Sequence, residues 1–174
     1  MTQTSLTDRI LQLSIVVLLG AFAYVIFTSI HERIVQVDDM APDFSITADN
    51  GRTITRSEFG GKLLVLNFWA SWCPPCIEEL PSLDQFQREL ASQGVVVLGI
   101  SRDKDPKAYK QFIEKYNVSF LTALDPDNKI SAEYGTFKIP ETYLINRDGK
   151  VVGKIISSTN WTDERMVSYV KSLL

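Results

Sequence analysis

The most apolar part of the chain is its beginning. Ile10 to Ile30 is a run of 21 residues without a charged side chain. As an α-helix, a run of this length crosses the roughly 30 Å of hydrocarbon in a lipid bilayer. Its apolar residues surround the helix instead of forming one stripe, which disfavours a helix packed on a globular core. The pattern therefore predicts an N-terminal tail and membrane anchor over residues 1–33, with the helix at about 10–30.

A cleaved signal peptide is the competing interpretation of this run. Ala21 and Ala23 are spaced like the small residues of a signal-peptidase site. Cleavage there would leave the apolar residues 24–30 as a new terminus with nothing to bury them, so the anchor is favoured. Arg9 and Arg33 lie on opposite sides of the run. One positive charge on each side does not determine the direction of crossing.

The pattern changes after a short polar linker at residues 34–41. Apolar and polar residues alternate from Phe44, residues 50–51 are Asn-Gly, and Thr53 to Thr55 are β-prone. Two short strands around an Asn-Gly turn form a β-hairpin. We expect this hairpin to stand ahead of the main fold, as a lid or an extension, in a domain over residues 42–174.

A β-α-β unit follows the hairpin. Leu63 to Trp69 and Val95 to Ile100 are near-continuous apolar runs, typical of strands covered on both faces. The segment between them, Cys73 to Leu90, is the crossover helix that parallel strands need. The remaining pattern predicts an amphipathic helix after Asp105 and Pro106, a strand at Val118–Leu124, a short helix at Asn128–Tyr134, a hairpin of Thr142–Ile145 and Val151–Ile156, and a closing helix from near Thr162. The whole order predicts an α/β fold with a central α/β insertion.

Composition narrows the function. The chain has 18 Lys and Arg against 21 Asp and Glu, a net charge of −3, which disfavours a nucleic-acid partner. The cysteines are Cys73 and Cys76, and the one histidine is His31. These are too few for a structural zinc site with four ligands or for a disulfide-stapled scaffold. We therefore expect no metal, and the cysteine pair needs a chemical explanation.

The two cysteines lie where a strand becomes a helix. Trp69 ends the first strand, and the sequence Ala-Ser-Trp-Cys-Pro-Pro-Cys leads directly into the crossover helix. A C-x-x-C pair at such a junction is typical of a thioredoxin-like redox site, because free backbone N–H groups and the helix dipole stabilise a thiolate. Cys73, at the cap, is the predicted nucleophile, and Cys76, one turn on, is placed to resolve the mixed disulfide. The alternative is a pair of buried structural cysteines.

Two prolines separate the cysteines. Pro74 and Pro75 suit the first turn of a helix, but each lacks an N–H group that could donate to the sulfur of Cys73. Cys76 and Ile77 must then supply the donors. We expect weaker stabilisation of the thiolate than in strong oxidants, and therefore a reducing potential.

One glutamate of the predicted crossover helix lies on its apolar face. At about 100° per residue, Glu79 falls beside Leu80 and Leu83, whereas Glu78 points the other way, to solvent. A carboxyl group pressed against the core should have a raised pKa and could exchange protons with Cys76 near neutral pH. The alternative is a side chain that reaches past Pro81 into solvent.

The chain resembles the membrane-anchored, thioredoxin-like thiol-disulfide oxidoreductases of the TlpA, ResA and cytochrome c biogenesis group, within the AhpC/TSA and Redoxin families. The resemblance covers about residues 42–174 and includes the central insertion. The matching residues are Ala41, Pro42, Asp43 and Phe44, then Asn67 to Cys76, then Glu79, Leu80 and Pro81, and finally Ile139, Pro140, Glu141 and Thr142.

The resemblance implies roles for individual residues. The position of Glu79 is a buried functional acid in this group. Pro140 is a cis proline packed against the disulfide, and Ile139 before it offers its backbone to the bound client. Trp72 is a position beside the active site; the alternative is a core aromatic at a strand end.

The resemblance also implies a reaction, partners and a location. Such proteins reduce client disulfides, commonly the haem-attachment cysteines of apocytochrome c, and take electrons from a transmembrane thiol-disulfide donor. They need no cofactor. We therefore expect a single-pass protein of the cytoplasmic (inner) membrane, with its catalytic domain on the periplasmic or extracytoplasmic side.

Other classes on related folds are alternatives. A disulfide-forming oxidant or isomerase would differ from a reductase in its potential rather than in its motif. A peroxiredoxin-like peroxidase is disfavoured because Ala70 stands where that family has a threonine. A copper-delivery protein would separate its cysteines by three residues and add a distal histidine, whereas this chain has only His31, beside the anchor. An adhesion or scaffold module would leave the cysteine pair without a purpose.

Overall fold

The computed structural model of the chain describes residues 6–30 and 34–174. The chain divides into two units, of which the first contains helix α1 (Leu6–Ile30) and the second spans Ile34–Leu174. The remaining parts of the predicted tail and anchor, residues 1–5 and 31–33 with His31, lie outside the described residues.

Helix α1 begins earlier than the charge-free run from which it was predicted. Its first turn includes Asp8, where a carboxylate faces the positive end of the helix dipole. The side chains of residues 6–26 are exposed, and over this stretch the helix is long and apolar enough to cross a membrane.

Residues 34–41 pack on the domain and do not form the polar linker expected from the sequence. Val35 and Ala41 are buried. The N–H of Val35 donates to the carbonyl of Tyr134 at 3.2 Å, and the N–H of Ala41 donates to the carbonyl of Gly149 at 2.9 Å. Burial of two small apolar side chains and pairing of the backbone fix this segment, which is therefore part of the domain and not a tether.

The predicted hairpin is present as a separate two-stranded sheet. Strands β1 (Ser45–Thr47) and β2 (Thr53–Thr55) pair antiparallel. An isolated bridge between Ala48 and Ala123 joins the hairpin to the edge of the main sheet. The hairpin is therefore an extension that covers part of the domain.

The main sheet has five strands in the order β5-β4-β3-β6-β7. Strands β3, β4 and β5 are parallel to one another, whereas β6 and β7 run antiparallel to their neighbours. Their bounds are β3 (Leu63–Trp69), β4 (Val95–Ser101), β5 (Leu121–Leu124), β6 (Glu141–Ile145) and β7 (Val151–Ile156). Every residue of β3 is buried, as its continuous apolar run predicted.

Alternate residues of β3 face two different hydrophobic clusters, one on each side of the sheet. The helices that cover the sheet are α2 (Pro74–Leu90), α3 (Pro106–Tyr116), α4 (Lys129–Glu133) and α5 (Glu164–Lys171). Leu63 and Val65 pack with α2, α3 and α5, whereas Leu64 and Leu66 pack with the hairpin and α4. This arrangement is the predicted α/β fold with a central insertion.

Strand β5 begins at Leu121, later than the predicted Val118. Helix α3 ends at Tyr116 and is capped by Asn117 in a left-handed conformation, with φ of 48°. The N–H of Val118 donates to the carbonyl of Ile113 at 3.3 Å and so closes the helix instead of joining the sheet.

Candidate active site

The two cysteines are joined at the N-terminus of α2. Cys73 is the N-cap residue and Cys76 lies in the first turn, with their Cα atoms 5.3 Å apart and a disulfide between their sulfurs. Residues 70–72 form the short connection from β3, so the strand end and the helix start fix the position of the pair. The sulfurs are thus close enough to form and break a bond with each other.

Two backbone polar groups lie near the sulfur of Cys73. The N–H of Cys76 lies 3.3 Å from Cys73 Sγ, and the carbonyl oxygen of Ile139 lies 3.6 Å from it. Pro74 and Pro75 occupy the first two helical positions and have no N–H to offer. Both cysteines are only 4% exposed, so a client must approach through an opening next to Cys73.

The connection before Cys73 is held by a buried carboxylate that the sequence reading did not single out. Asp103 accepts hydrogen bonds from the N–H of Ser71 at 2.9 Å and from the hydroxyl of Ser71 at 2.6 Å. It also accepts one from the hydroxyl of Ser101, the last residue of β4, at 2.6 Å. The sequence feature that could have indicated Asp103 is its position just after a parallel strand, at the sheet edge where β3 also ends.

Glu79 is buried on the same face of α2 as Cys76, one turn further on. Asn67 Nδ2 donates to Glu79 Oε1 at 2.9 Å, and the N–H of Thr159 donates to Glu79 Oε2 at 3.3 Å. Burial raises the pKa of Glu79 from 4.5 to about 7, although these two hydrogen bonds lower it. The indole of Trp161 also lowers the pKa of Glu79, although its N–H is not at hydrogen-bonding distance of an acceptor.

Two of these partners were not predicted. Asn67 is the single polar side chain of β3, and it also donates to the hydroxyl of Thr142 at 2.9 Å. Its polarity within an apolar strand was a usable signal. Thr159 acts through its backbone, so no side-chain pattern could have indicated it.

A surface cleft of about 380 Å³ reaches Glu79. Glu78 and Asn160, which are exposed, and Thr159 also line it. The cleft offers this carboxyl group a route for proton exchange with solvent.

The Ile139–Pro140 peptide bond is cis, in agreement with the resemblance. Pro140 immediately precedes β6, and Ile139 presents its carbonyl oxygen to Cys73. Trp72 is 66% exposed, which excludes the alternative of a core aromatic. Its indole instead stands beside Cys73 at the surface.

A groove of about 810 Å³ opens next to Cys73. Trp72 and Phe137, both exposed, line it together with Ile139 and Arg102. The groove gives an extended polypeptide access to the edge of the redox pair.

In the described ranges, 6–30 and 34–174, no cluster of three or more His, Cys, Asp or Glu side chains is arranged to hold a metal ion. The chemistry that these ranges offer is that of the cysteine pair with its neighbouring carboxyl group.

Comparisons with known proteins agree with this chemistry. A family model described as the AhpC/TSA family matches residues 37–154. The thiol-disulfide oxidoreductase ResA of Bacillus anthracis is 31% identical over 161 residues, which is 91% of this chain and 92% of the relative. ResA of Bacillus subtilis (strain 168) is 34% identical over 148 residues, 83% of this chain and 82% of the relative.

Solved structures share the fold. A thiol:disulfide interchange protein of the thioredoxin family from Chlorobium tepidum superimposes with a TM-score of 0.67 at 27% identity, covering 78% of this chain and 98% of that one. StoA from Bacillus subtilis gives 0.65 at 25% identity, covering 74% and 96%. With matches over most of its length, the chain belongs to the AhpC/TSA family and is a thiol-disulfide oxidoreductase with a thioredoxin-like fold.

Proposed function

We propose that the chain is a membrane-anchored protein-disulfide reductase in which Cys73 attacks, Cys76 resolves and Glu79 handles the proton. The observation that carries this proposal is the position of Glu79, a buried carboxyl group with a pKa of about 7, on the face of α2 that holds Cys76. A group that titrates near neutral pH is suited to general acid–base catalysis there.

The reaction begins with both cysteines reduced. The Cys73 thiolate attacks one sulfur of a client disulfide, forming a mixed disulfide and releasing the other client sulfur as a thiolate. Cys76 then gives its proton to the Glu79 carboxylate and attacks Cys73, which releases the second client sulfur. The client gains two electrons, and its two thiolates take up one proton passed on by Glu79 and one from solvent, while the enzyme is left with the Cys73–Cys76 disulfide.

A donor dithiol returns the enzyme to its reduced form by the same exchange in reverse. In line with the resemblance, we infer a transmembrane thiol-disulfide donor and clients such as apocytochrome c, whose haem-site cysteines must be reduced. The apolar helix α1 supports this, because it is long and apolar enough to hold the domain at a membrane. Trp72, Ile139 and Pro140 form the client-binding edge, with the Ile139 carbonyl available to a client backbone.

The direction of the reaction follows from the helix N-terminus. Pro74 and Pro75 leave the N–H of Cys76 as the backbone donor to Cys73 Sγ, so the thiolate gains little stabilisation and the disulfide is the favoured form. We expect a reduction potential far more negative than the about −120 mV of a strong periplasmic oxidant. Equilibration with glutathione buffers measures this reduction potential. A value near that of the strong oxidant would indicate that the protein forms disulfides instead of reducing them.

A Cys76→Ser variant, expressed in its native membrane, tests the roles of the two cysteines. Without the resolving thiol, Cys73 should remain in a mixed disulfide with its natural partner, which reductant releases for identification by mass spectrometry. A Cys73→Ser/Cys76→Ser variant is the matched control and should trap nothing. Full insulin-reductase activity of Cys76→Ser, with no trapped adduct, would contradict the assignment.

We place the domain on the extracytoplasmic side, where disulfides persist. A thiol reagent that cannot cross membranes should label the reduced cysteine pair in intact cells. Labelling only after the cells are broken would put the domain in the cytoplasm instead.

A further inference from the structure

The groove beside Cys73 contains a positive charge without a counter-ion. Arg102 is partly buried, and its guanidinium is held in place by neutral acceptors. Its Nε donates to Asn128 Oδ1 at 2.9 Å and its Nη1 donates to the carbonyl of Thr136 at 3.4 Å. In the part of the chain that the structure describes, no carboxylate lies within ion-pair distance of Arg102. Its charge is therefore fixed in position but not neutralised.

The carboxylates of the same groove have other partners. Asp103 accepts three hydrogen bonds from Ser71 and Ser101 and so holds the loop before Cys73. Asp105 caps α3, where its Oδ1 accepts from the N–H of Lys107 at 2.9 Å. Both acids serve the fold, so the charge of Arg102 is left for a ligand.

Apolar surface lies beside this charge. Trp72 is 66% exposed and Phe137 is 65% exposed, and both line the groove with Ile139. The Ile139 carbonyl oxygen is 3.6 Å from Cys73 Sγ, so the apolar surface reaches the attacking sulfur. Exposed aromatic side chains next to a preorganised guanidinium are typical of sites that select a binding partner.

We propose that Arg102 binds a carboxylate of the client polypeptide, while Trp72 and Phe137 pack on an apolar side chain close to the client cysteine. The groove therefore selects clients whose cysteine is flanked by an acidic and an apolar residue. This inference rests on the proposed function, because it assumes that client disulfides are reduced at Cys73. The planar guanidinium suits a carboxylate in two-point contact, and a partly desolvated pair discriminates more than a fully exposed one.

A peptide series tests the preference. Each peptide has one internal disulfide and one aromatic residue near a cysteine, and Glu is moved through the three positions on either side, with a Gln peptide for each. We expect the reduced full-length protein, in lipid nanodiscs, to reduce one or two of the Glu peptides about fivefold faster than their Gln partners at low salt. High salt should diminish the ratio, because it screens the pair.

Variants of the groove assign the preference to Arg102. An Arg102→Gln variant should lose it, and Lys110→Gln, an exposed cation of α3 that does not line the groove, should keep it. An Arg102→Glu variant should instead favour peptides with Lys in place of Glu. Such an inversion cannot arise from misfolding, so it separates recognition from instability.

A small neutral disulfide, bis(2-hydroxyethyl) disulfide, separates the two levels of the proposal. If the wild-type protein reduces it but shows no Glu-over-Gln preference at any position, or if Arg102→Gln retains the preference, the groove assignment is wrong and the reductase stands. If the reduced wild-type protein cannot reduce bis(2-hydroxyethyl) disulfide or any of the peptides, the proposed function itself fails.

Discussion

Glu79 experiences burial and hydrogen bonding with opposite effects on its pKa. Desolvation dominates and raises the pKa to about 7, so the carboxyl group changes charge near neutral pH. As the base for Cys76 it must be ionised, so the rate of client release should rise with pH through about 7 and then level off. We predict that Glu79→Gln loses this rise and slows release by about tenfold or more.

Single-turnover release of a chromogenic thiol from a mixed disulfide on Cys73, followed across the neutral pH range, measures this effect. Glu78→Gln is the matched control, because Glu78 is the exposed neighbour on the same helix. A Glu79→Gln profile that still rises through pH 7 would assign the titration to another group.

Whether a site residue can be predicted from the sequence depends on how far apart in the chain the interacting residues lie. Helical periodicity placed Glu79 on the buried face, because all the information lies within α2. Its partner Thr159 is 80 residues away, and Asp103 is 32 residues from Ser71. Such contacts depend on the packing of the chain and have no local pattern. The exposure of Trp72 could not be read from the sequence for the same reason, since a strand end does not show which way the next residue points.

At the scale of elements, the N-terminus of α2 controls the thiolate through its backbone donors. Cys73 Sγ has the N–H of Cys76 at 3.3 Å, whereas position 75 has none to donate. We predict that Pro75→Ala, which restores an N–H at the second helical position, stabilises the Cys73 thiolate. The reduction potential should become less negative by about 30 mV for each roughly 1.4 kcal/mol of that stabilisation.

Equilibration of the variant with glutathione buffers gives the potential. Pro74→Ala is the matched control, because an N–H at the first helical position does not usually reach the side chain of the cap residue. Equal shifts in the two variants would mean that chain flexibility, and not the new donor, changes the potential.

Elements with a strong local pattern of apolar residues were predicted well, and segments without such a pattern were not. Strand β3 has the predicted bounds because its continuous apolar run is bordered by glycines on one side and the active-site turn on the other. Residues 34–41 were misread as a linker because two isolated apolar residues, Val35 and Ala41, have no period to mark their burial. The cis form of the bond before Pro140 could be expected only from the resemblance, since the local sequence does not determine it.

At the scale of the whole molecule, keeping an acid in the core makes the stability of the domain depend on pH. The pKa of Glu79 is about 7 in the folded protein against an ordinary value of 4.5. Between these values the folded protein holds a proton that the unfolded chain releases, so the free energy of unfolding must fall as pH rises. A difference of about 2.5 pH units corresponds to a loss of roughly 3 kcal/mol, absent below pH 4.5 and complete a little above pH 7.

We predict that Glu79→Gln removes this loss, because glutamine does not titrate, while Glu78→Gln retains it. Urea unfolding of the oxidised full-length protein at several pH values, followed by tryptophan fluorescence, gives the free energies. The other carboxyl groups are common to all three proteins, so the difference between the wild-type and Glu79→Gln curves isolates Glu79. Parallel curves between about pH 4.5 and pH 7 would show that Glu79 is ionised throughout this range, so that its titration could not cause the predicted rise of client release through pH 7.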